Sequence, residues 1–336
     1  MTPEDAARHI ALIRELSSPG GPVTKDAPTA SINNPEWWID GELTPPRSRL
    51  FAQLLEDAAA KYPDALNERR ALVLAGPPGA GKGSVADRVL GAAKASYVNV
   101  DADEFKSALL RQAIADGSYE SWIKPPAVRE LEAGGERFFP MELAALVHEE
   151  SSELASAQRT RMMGRGTNII VDTVLGSEAS AIELGSQLQR AGYSVHIVDV
   201  EVPFEVSEER IVQRWSEAIA SAEAGQDPLG GRWVPSAYAR PLFDTSHGRA
   251  RSQDAAALLA ENPAVERYER HFTSMEEHRG AILEGRRAMP MKELDQARLH
   301  RGGPLVDAAY TRRASPATQR RPGVQADRGR GGAELS

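Results

Sequence analysis

The chain has 336 residues, of which 41% are hydrophobic and 26% charged, proportions typical of a globular protein. No apolar run is long enough to span a bilayer and the acidic N-terminus lacks the apolar core of a signal peptide, so we expect a cytoplasmic protein with no membrane partner. The absence of cysteine excludes disulfides and thiol catalysis, and the net charge of −8 disfavours extended binding to nucleic acid.

Residues 1–65 are predicted to form an accessory region that is partly helical and partly irregular. Residues 17–47 are rich in Pro, Gly, Ser and Asn, which favour turns and loops over regular elements. We expect this irregular segment to pack on the main domain through the indoles of Trp37 and Trp38. A helix is predicted to begin at Ser48.

Residues 66–300 are predicted to form a doubly wound α/β domain with a parallel sheet. Short apolar runs typical of buried parallel strands occur near 71–75, 97–101, 168–172 and 195–202. Amphipathic helical patterns lie between these runs, and this alternation implies helices on both faces of the sheet. A fifth strand is only weakly indicated, because residues 264–272 fit a strand or a helix equally well.

A glycine-rich loop directly follows the first predicted strand. Its residues are Gly76, Pro77, Pro78, Gly79, Ala80, Gly81, Lys82, Gly83 and Ser84. Between a strand and a helix, this pattern predicts backbone N–H groups that bind nucleotide phosphates, with Lys82 reaching the β- and γ-phosphates. We therefore expect ATP at this loop, together with the Mg²⁺ that nucleotide phosphates bring. The hydroxyl that usually contacts magnesium is displaced by one position, to Ser84, as in several small-molecule kinases.

Carboxylates follow the second and third predicted strands. Because ligands bind beyond the carboxyl ends of parallel strands, Asp103 and Asp172 should lie beside the phosphate loop. Asp103 is suited to accept a proton from a substrate hydroxyl, with Asp101 as the alternative base. Asp172, which precedes Thr173, is suited to orient magnesium or its waters. The competing interpretation is that Asp103 and Asp172 only cap the helices that follow them.

Three arginines are candidates to close over the phosphates. Arg210 and Arg214 lie four residues apart on a predicted helix over 205–223, and Arg232 follows a glycine-containing stretch that resembles a lid. The planar guanidinium can hold two phosphate oxygens at once and stays charged. Taken alone, these arginines are more typical of surface ion pairs.

Together, these motifs resemble the zeta toxin family of bacterial kinases. The segments that carry the resemblance run in family order between about residues 65 and 245, and they are 76–84, 98–106, 148–152, 168–173, 200–203, 213–215 and 231–235. The resemblance implies a P-loop kinase fold and transfer of the γ-phosphoryl of ATP to a nucleotide sugar. Family members phosphorylate the 3′-hydroxyl of UDP-N-acetylglucosamine, and a neutralising antitoxin would here have to be a separate protein.

The resemblance also implies roles for individual residues. Catalytic roles are implied for Lys82, Asp103, Arg214 and Arg232, and we expect contacts to the substrate from Asp103, Asp172, Thr173 and Arg210. Glu150 is also expected to contact the substrate, because it is a carboxylate on the otherwise apolar helix stripe of Leu143, Val147 and Leu154. Ser84 and Asp172 are implied as magnesium contacts, partly through water. Val174 departs from the family pattern, in which a second Thr or a Gly-Thr pair often follows the strand-end acid.

The residues themselves, considered without the family resemblance, are also compatible with other functions. One is a kinase for a different hydroxyl, on a nucleoside, an antibiotic or a polynucleotide end, although the acidic body argues against the last. Another is a regulator that binds ATP without transferring phosphate. Residues 301–336 are expected to form a disordered basic tail, because 311–336 hold six arginines against Asp327 and Glu334 and almost no large apolar residue.

Overall fold

A computed structural model describes residues 2–245 and 250–314 of the chain. Its strands are β1 (Trp38–Ile39), β2 (Glu42–Leu43), β3 (Arg70–Ala75), β4 (Val98–Val100), β5 (Ile169–Asp172), β6 (Ser194–Glu201), β7 (Val265–Phe272), β8 (Met291–Arg298) and β9 (Leu305–Asp307). The first two form a small antiparallel hairpin, and the other seven form one sheet in the order β4-β5-β3-β6-β7-β8-β9.

The α-helices alternate with these strands along the chain. They are α1 (Pro3–Leu16), α2 (Pro45–Ala60), α3 (Lys82–Leu90), α4 (Ala102–Asp116), α5 (Pro126–Ala133), α6 (His148–Arg165), α7 (Glu178–Arg190), α8 (Phe204–Glu223), α9 (Ser236–Ala239), α10 (Arg251–Ala260), α11 (Met275–Leu283) and α12 (Ala308–Ala314). Short 3₁₀ segments cover Ser31–Asn33, Gly91–Ser96, Pro140–Val147 and Arg240–Leu242, and Tyr119–Ile123 is a π-helical turn. None of the helices in this part of the chain is long and apolar enough to cross a membrane.

The predicted doubly wound parallel sheet is confirmed for five strands. The strands β4, β5, β3, β6 and β7 are mutually parallel, and β7 occupies the range where sequence left strand and helix open. The strands β8 and β9 extend the sheet in antiparallel fashion, which the sequence did not indicate. The fold is therefore the expected one with a mixed edge.

The central strand β3 contributes to both faces of the sheet, because successive side chains of a strand point in opposite directions. Val73 belongs to the core that includes residues of α7 and α10, whereas Leu72 belongs to the core that includes residues of α3 and α8. All five residues from Ala71 to Ala75 are buried, as the continuous apolar run predicts. This burial holds the carboxyl end of β3, where the glycine-rich loop begins, in a rigid position.

The N-terminal region shares a hydrophobic core with the α/β domain. Leu16, Val23 and Phe51 are buried in one cluster with Phe105 of α4 and Leu143, and both Trp37 and Trp38 pack against that cluster. The indoles therefore lie where the sequence predicts them. Helix α2 begins at Pro45, three residues before the predicted start.

The sheet continues past residue 301, where the sequence predicts the start of a disordered tail. Strand β9 pairs with β8, and α12 follows it directly. The segment 301–314 thus differs from that expectation because β8 offers a free edge with which β9 can pair. The rest of the predicted tail, from 315 to 336, lies outside the described residues.

Candidate active site

The glycine-rich loop connects β3 to α3 and curls around its own lysine. Lys82 Nζ donates hydrogen bonds to the carbonyl oxygens of Gly76 at 2.9 Å and Pro77 at 3.4 Å, and it lies 3.5 Å from Asp172 Oδ1. Gly76 has a φ of 139°, and a Cβ at this position would lie 2.1 Å from the carbonyl oxygen of Val200 in β6. Only glycine permits this close passage of the loop beside the neighbouring strand.

Helix α8 supports the loop from one side. Arg210 Nη1 donates to the carbonyl oxygens of Gly79 and Ala80, both at 3.2 Å, and Arg210 Nη2 donates to that of Ala288 at 3.0 Å. Ser207 Oγ donates to the carbonyl oxygen of Pro78 at 2.7 Å. These bonds hold the carbonyls of the loop to α8, so Arg210 positions the loop.

A cavity of about 600 Å³ lies over the loop at the carboxyl end of the sheet. The whole stretch from Pro78 to Ser84 lines it, whereas Gly76 and Pro77, predicted to bind the cofactor, do not and instead hold Lys82. The other predicted site residues that line this cavity are Asp103, Asp172, Thr173, Arg210, Arg214 and Arg232. Residues more than 100 positions apart in the chain therefore meet at one edge of the sheet.

Asp103, in the first turn of α4, carries two cationic partners. Its Oδ2 is in contact with Arg232 Nη1, and its Oδ1 accepts a hydrogen bond from Lys106 Nζ at 3.1 Å. Burial by itself would raise the pKa of Asp103, but the charges of Arg232 and Lys106 outweigh it and lower the pKa below the usual value. Asp103 is therefore a carboxylate at neutral pH.

Asp101 has the opposite electrostatic environment. Its Oδ1 caps α4 by accepting a hydrogen bond from the backbone N–H of Asp103 at 2.8 Å. Burial, and secondarily the charge of Asp103, raise the pKa of Asp101 to about 6. The cap of α4 is thus Asp101 and not Asp103, for which the sequence offered that role, and the two neighbouring carboxylates differ in proton affinity because only Asp103 is paired with cations.

Several residues of the cavity were not predicted as site residues, and Lys106 and His148 are two of them. Lys106 lies one helical turn after Asp103, so its spacing is a signal that could have identified it. Burial, with the charge of Arg232, lowers the pKa of its ammonium. His148, at the start of α6, has a pKa lowered to about 4, first by burial and then by the charge of Lys106. It is therefore neutral at pH 7, and although the segment 148–152 carries part of the family resemblance, the sequence assigns this imidazole no role.

Arg214 and Arg232 differ in what they contact. Arg232 is engaged with Asp103, whereas Arg214 is exposed, lines the cavity and makes no hydrogen bond to the described part of the chain. Its planar group is therefore available to an anion in the cavity. The pair combines one guanidinium already oriented by a carboxylate with one that makes no hydrogen bond to the described residues.

Glu150 does not line the cavity, which corrects the expectation that it contacts the substrate. It is fully buried in α6, where its Oε1 accepts hydrogen bonds from Arg47 Nε at 2.8 Å and Trp38 Nε1 at 3.0 Å, while its Oε2 contacts Arg47 Nη2. Arg47 also stacks on Trp37, with its Cζ 3.9 Å from the ring centroid. The Glu150 carboxylate, on an otherwise apolar helix face, therefore helps to hold Trp38 and Arg47 of the N-terminal region against α6.

The oxygen donors around the loop suit magnesium. The Ser84 hydroxyl and the carboxylates of Asp101 and Asp172 line the same cavity. The described residues contain no group of three or more His, Asp or Glu side chains that could hold a metal ion. Because Mg²⁺ is commonly held by one or two carboxylates, water and substrate phosphates, this sparse donor set fits an ion that arrives with a nucleotide.

Comparison with known proteins gives a family and a fold. The family model described as zeta toxin matches residues 52–119 and 126–279, which is more than half of the chain. A search of curated proteins finds no match.

Two solved structures illustrate the structural comparison. A chain in the crystal structure of AvrRxo1-ORF1:AvrRxo1-ORF2 with sulphate ions is 22% identical, with 81% of this chain and 73% of that chain covered and a TM-score of 0.53. A chain of the PezAT chromosomal toxin–antitoxin system of Streptococcus pneumoniae is 16% identical, with 69% and 79% covered and a TM-score of 0.46. The first likeness shows a shared fold.

Proposed function

The chain belongs to the zeta toxin family, and we propose that it is an ATP-dependent phosphotransferase whose acceptor is a hydroxyl of a nucleotide sugar resembling UDP-N-acetylglucosamine. The observation that carries the proposal is that Lys82, Asp103 and two arginines open onto one cavity beside the loop. Phosphoryl transfer requires little beyond positioning, charge neutralisation and one proton acceptor, and these groups supply all three.

The loop is suited to hold the phosphates of ATP. Backbone N–H groups between Gly79 and Ser84 lie at the start of α3, where the helix dipole favours an anion. Lys82 would exchange its present carbonyl partners for the β- and γ-phosphates. Ser84 and Asp172 would hold Mg²⁺, which when bound neutralises part of the phosphate charge.

Asp103 is the proposed base. The acceptor hydroxyl oxygen forms a bond to the γ-phosphorus while the bond from that phosphorus to the β–γ bridging oxygen breaks, and the hydroxyl proton passes to the Asp103 carboxylate. Arg232 and Arg214 would stabilise the charge on the transferring phosphoryl and the leaving ADP. Asp103 holds Arg232 before reaction, so it both orients a cation and receives the proton.

The direct test measures ADP release from ATP with and without UDP-N-acetylglucosamine, followed by mass spectrometry of the sugar nucleotide. We expect release that depends on the acceptor, and a product that carries one additional phosphate. In parallel, a cell metabolite extract is incubated with the protein and ATP and searched for any species that gains a phosphate. If a different species gains the phosphate, the protein is a kinase for the hydroxyl of that species and the proposed nucleotide-sugar acceptor is wrong.

A non-catalytic regulator would give a different result. It would bind ATP tightly, show no effect of UDP-N-acetylglucosamine on ADP release and yield no phosphorylated species in the extract. That combination would overturn the phosphotransferase proposal. The presence of Asp103 on the cavity wall favours catalysis, since a protein that only binds ATP has no use for a carboxylate at that position.

We further propose that the protein acts in the cytoplasm, where ATP and nucleotide sugars are available, and that a separate antitoxin protein neutralises it. Membership of the zeta toxin family supports both statements. Expression of the wild-type chain in a bacterial host should arrest growth, and expression of Lys82→Ala should not. Equal growth of the two strains at equal protein levels would contradict a toxic role that depends on the kinase site.

A further inference from the structure

Arg214 and Arg232 are each followed directly by a tryptophan. These two residues, Trp215 and Trp233, pack edge to face, with ring centroids 6.0 Å apart and planes at 83°, and their exposed fractions are 1% and 5%. The two backbones run so close together that a Cβ on Gly231 would lie 2.5 Å from the carbonyl oxygen of Trp215. This tryptophan pair therefore joins the backbone that carries one arginine to the backbone that carries the other.

The segment 232–235 borders a second cavity, of about 250 Å³, which adjoins the first. Lys106 and Arg232 line both cavities, and both contact Asp103, so the cavities meet next to that carboxylate. Because the second cavity leaves one side of the segment open, contacts made by the tryptophan pair are needed to hold the segment in place.

Helix α1 packs on the tryptophan pair. The His9 ring is stacked on that of Trp215, with centroids 5.7 Å apart and planes at 15°, and the guanidinium carbon of Arg14 lies 6.0 Å from the ring centroid of Trp233. Ile13 lies in the same hydrophobic cluster as both tryptophans. His9 and Ile13 are 3% and 0% exposed. Helix α1 precedes the residues matched by the family model, so these contacts involve a part of the chain that the model does not describe.

A buried carboxylate links α1 to the tryptophan pair by hydrogen bonds. Glu142 is 2% exposed, and its Oε1 lies 2.8 Å from both His9 Nε2 and Trp215 Nε1. The indole N–H can only donate, so this oxygen is the acceptor that fixes the indole relative to α1. Burial opposes protonation of His9, but the hydrogen bonds and charges of Glu142 and Glu136 outweigh it and raise the pKa of the imidazole.

We propose that α1 is a positioning element of the active site, in which His9 and Glu142 hold the tryptophan pair and thereby the two arginines beside it. This inference rests on the proposed phosphotransferase function. Arg214 makes no hydrogen bond to the described residues, so its place in the larger cavity is set by the backbone that it shares with Trp215. Since stabilisation by charge depends on where each guanidinium lies, a shift of about 1 Å in that backbone would slow phosphoryl transfer.

Substitutions in α1 of the full chain test this inference. His9→Ala removes the stacked ring and the hydrogen bond, whereas His9→Gln keeps an N–H donor for Glu142. Two controls lie in the same helix, since Glu15→Ala changes an exposed residue and Leu16→Ala destabilises α1 through a different hydrophobic cluster. ADP release is measured at varied ATP concentration with a deproteinised cell metabolite extract as the source of acceptor. ATP affinity is measured by equilibrium dialysis, at a temperature at which thermal unfolding shows every variant to be folded.

We expect His9→Ala to lower turnover at saturating ATP about 10- to 100-fold, because the arginines lose their alignment with the transferring group. The affinity for ATP should change far less, since the backbone amides and the lysine that are proposed to bind its phosphates are unaltered. His9→Gln should recover most of the lost turnover, because it can again donate to the carboxylate. Glu15→Ala and Leu16→Ala should match the wild type in turnover.

Each of the opposite results would count against the inference. Wild-type turnover in His9→Ala would overturn the positioning role while the phosphotransferase proposal stands. An equal loss of turnover in Leu16→Ala would show that α1 acts only through stability and would overturn that role too. The absence of any recovery in His9→Gln would overturn the part assigned to the hydrogen bond. If the wild type releases no ADP in response to the extract, the proposed function itself is wrong, and this inference with it.

Discussion

The two adjoining cavities differ in chemistry and in origin. The larger is lined by a glycine-rich loop, acids and arginines, and most of its residues lie inside the family match. The smaller is largely apolar, and one of its walls precedes that match. The difference shows that a charged, glycine-rich lining and an apolar lining lie side by side in this fold, and that only the first is formed mainly by residues within the family match.

The largest effect on activity is expected when the lysine that lines the larger cavity is removed. Lys82→Ala should lower kcat about 1000-fold, because it removes the positive charge that we propose contacts the β- and γ-phosphates. The variant should still fold, since the Lys82 side chain is not part of the hydrophobic core. ADP release and thermal unfolding are measured together. Full activity in both Lys82→Ala and Asp103→Ala would refute the assignment of the site.

The next largest effect is expected at the junction of the two cavities. Asp103→Asn should lower kcat/KM by about 10²–10⁴-fold, because the amide cannot accept the hydroxyl proton. Asp101→Asn should cost far less, since Asp101 mainly caps α4. Rates of both variants and the wild type under identical conditions provide the measurement.

The pH profile of the wild type checks the same assignment. The pKa of Asp103 is lowered, so a base at Asp103 stays deprotonated and active as the pH falls through 6. The pKa of Asp101 is raised to about 6, so a base at Asp101 would lose activity about tenfold per pH unit below that value. A flat kcat/KM between pH 7 and 5 therefore supports Asp103, and a decline centred near 6 would favour Asp101.

A smaller effect should distinguish the two arginines of α8 within the larger cavity. Arg214→Lys should lower kcat about tenfold to 100-fold with little change in the KM for ATP, because an ammonium cannot hold two oxygens of the transferring group. Arg210→Lys should mainly raise the KM for ATP, since it weakens the bonds to the carbonyls of Gly79 and Ala80. Steady-state kinetics at varied ATP concentration distinguish an effect on kcat from an effect on the KM for ATP. Identical changes in both variants would contradict the assignment of different roles to Arg210 and Arg214.

The smallest effect on catalysis is expected at Glu150, although the effect on stability is large. Glu150→Gln leaves Arg47 buried without a counter-charge, which should cost about 3–5 kcal/mol of the free energy of unfolding. The kcat of the folded protein should remain unchanged, because Glu150 does not line either cavity. Urea denaturation and kinetics on the same sample test this. A raised acceptor KM at unchanged stability would restore Glu150 as a substrate contact.

Local patterns predicted the parts of the site that local backbone chemistry determines. The strand, loop and helix around Lys82 are contiguous, so each glycine and apolar residue is informative about its neighbours. The strand-end acids were found because parallel strands end at the same edge of a sheet. The arginines required the family resemblance, because spacing alone could not distinguish Arg210, which holds the loop, from Arg214, which faces the cavity.

The sequence by itself determined the parallel sheet, the glycine-rich loop and the acids beside it, because hydrophobic periodicity and glycine conformation act over a few residues. Only the tertiary structure decided that Glu150 pairs with Arg47, that Lys106 and Arg232 share Asp103, and that residues 17–25 line a cavity together with Lys106 and Arg232. These contacts join residues that lie far apart in the chain, and the free energy of burying and pairing them depends on packing that no local pattern contains.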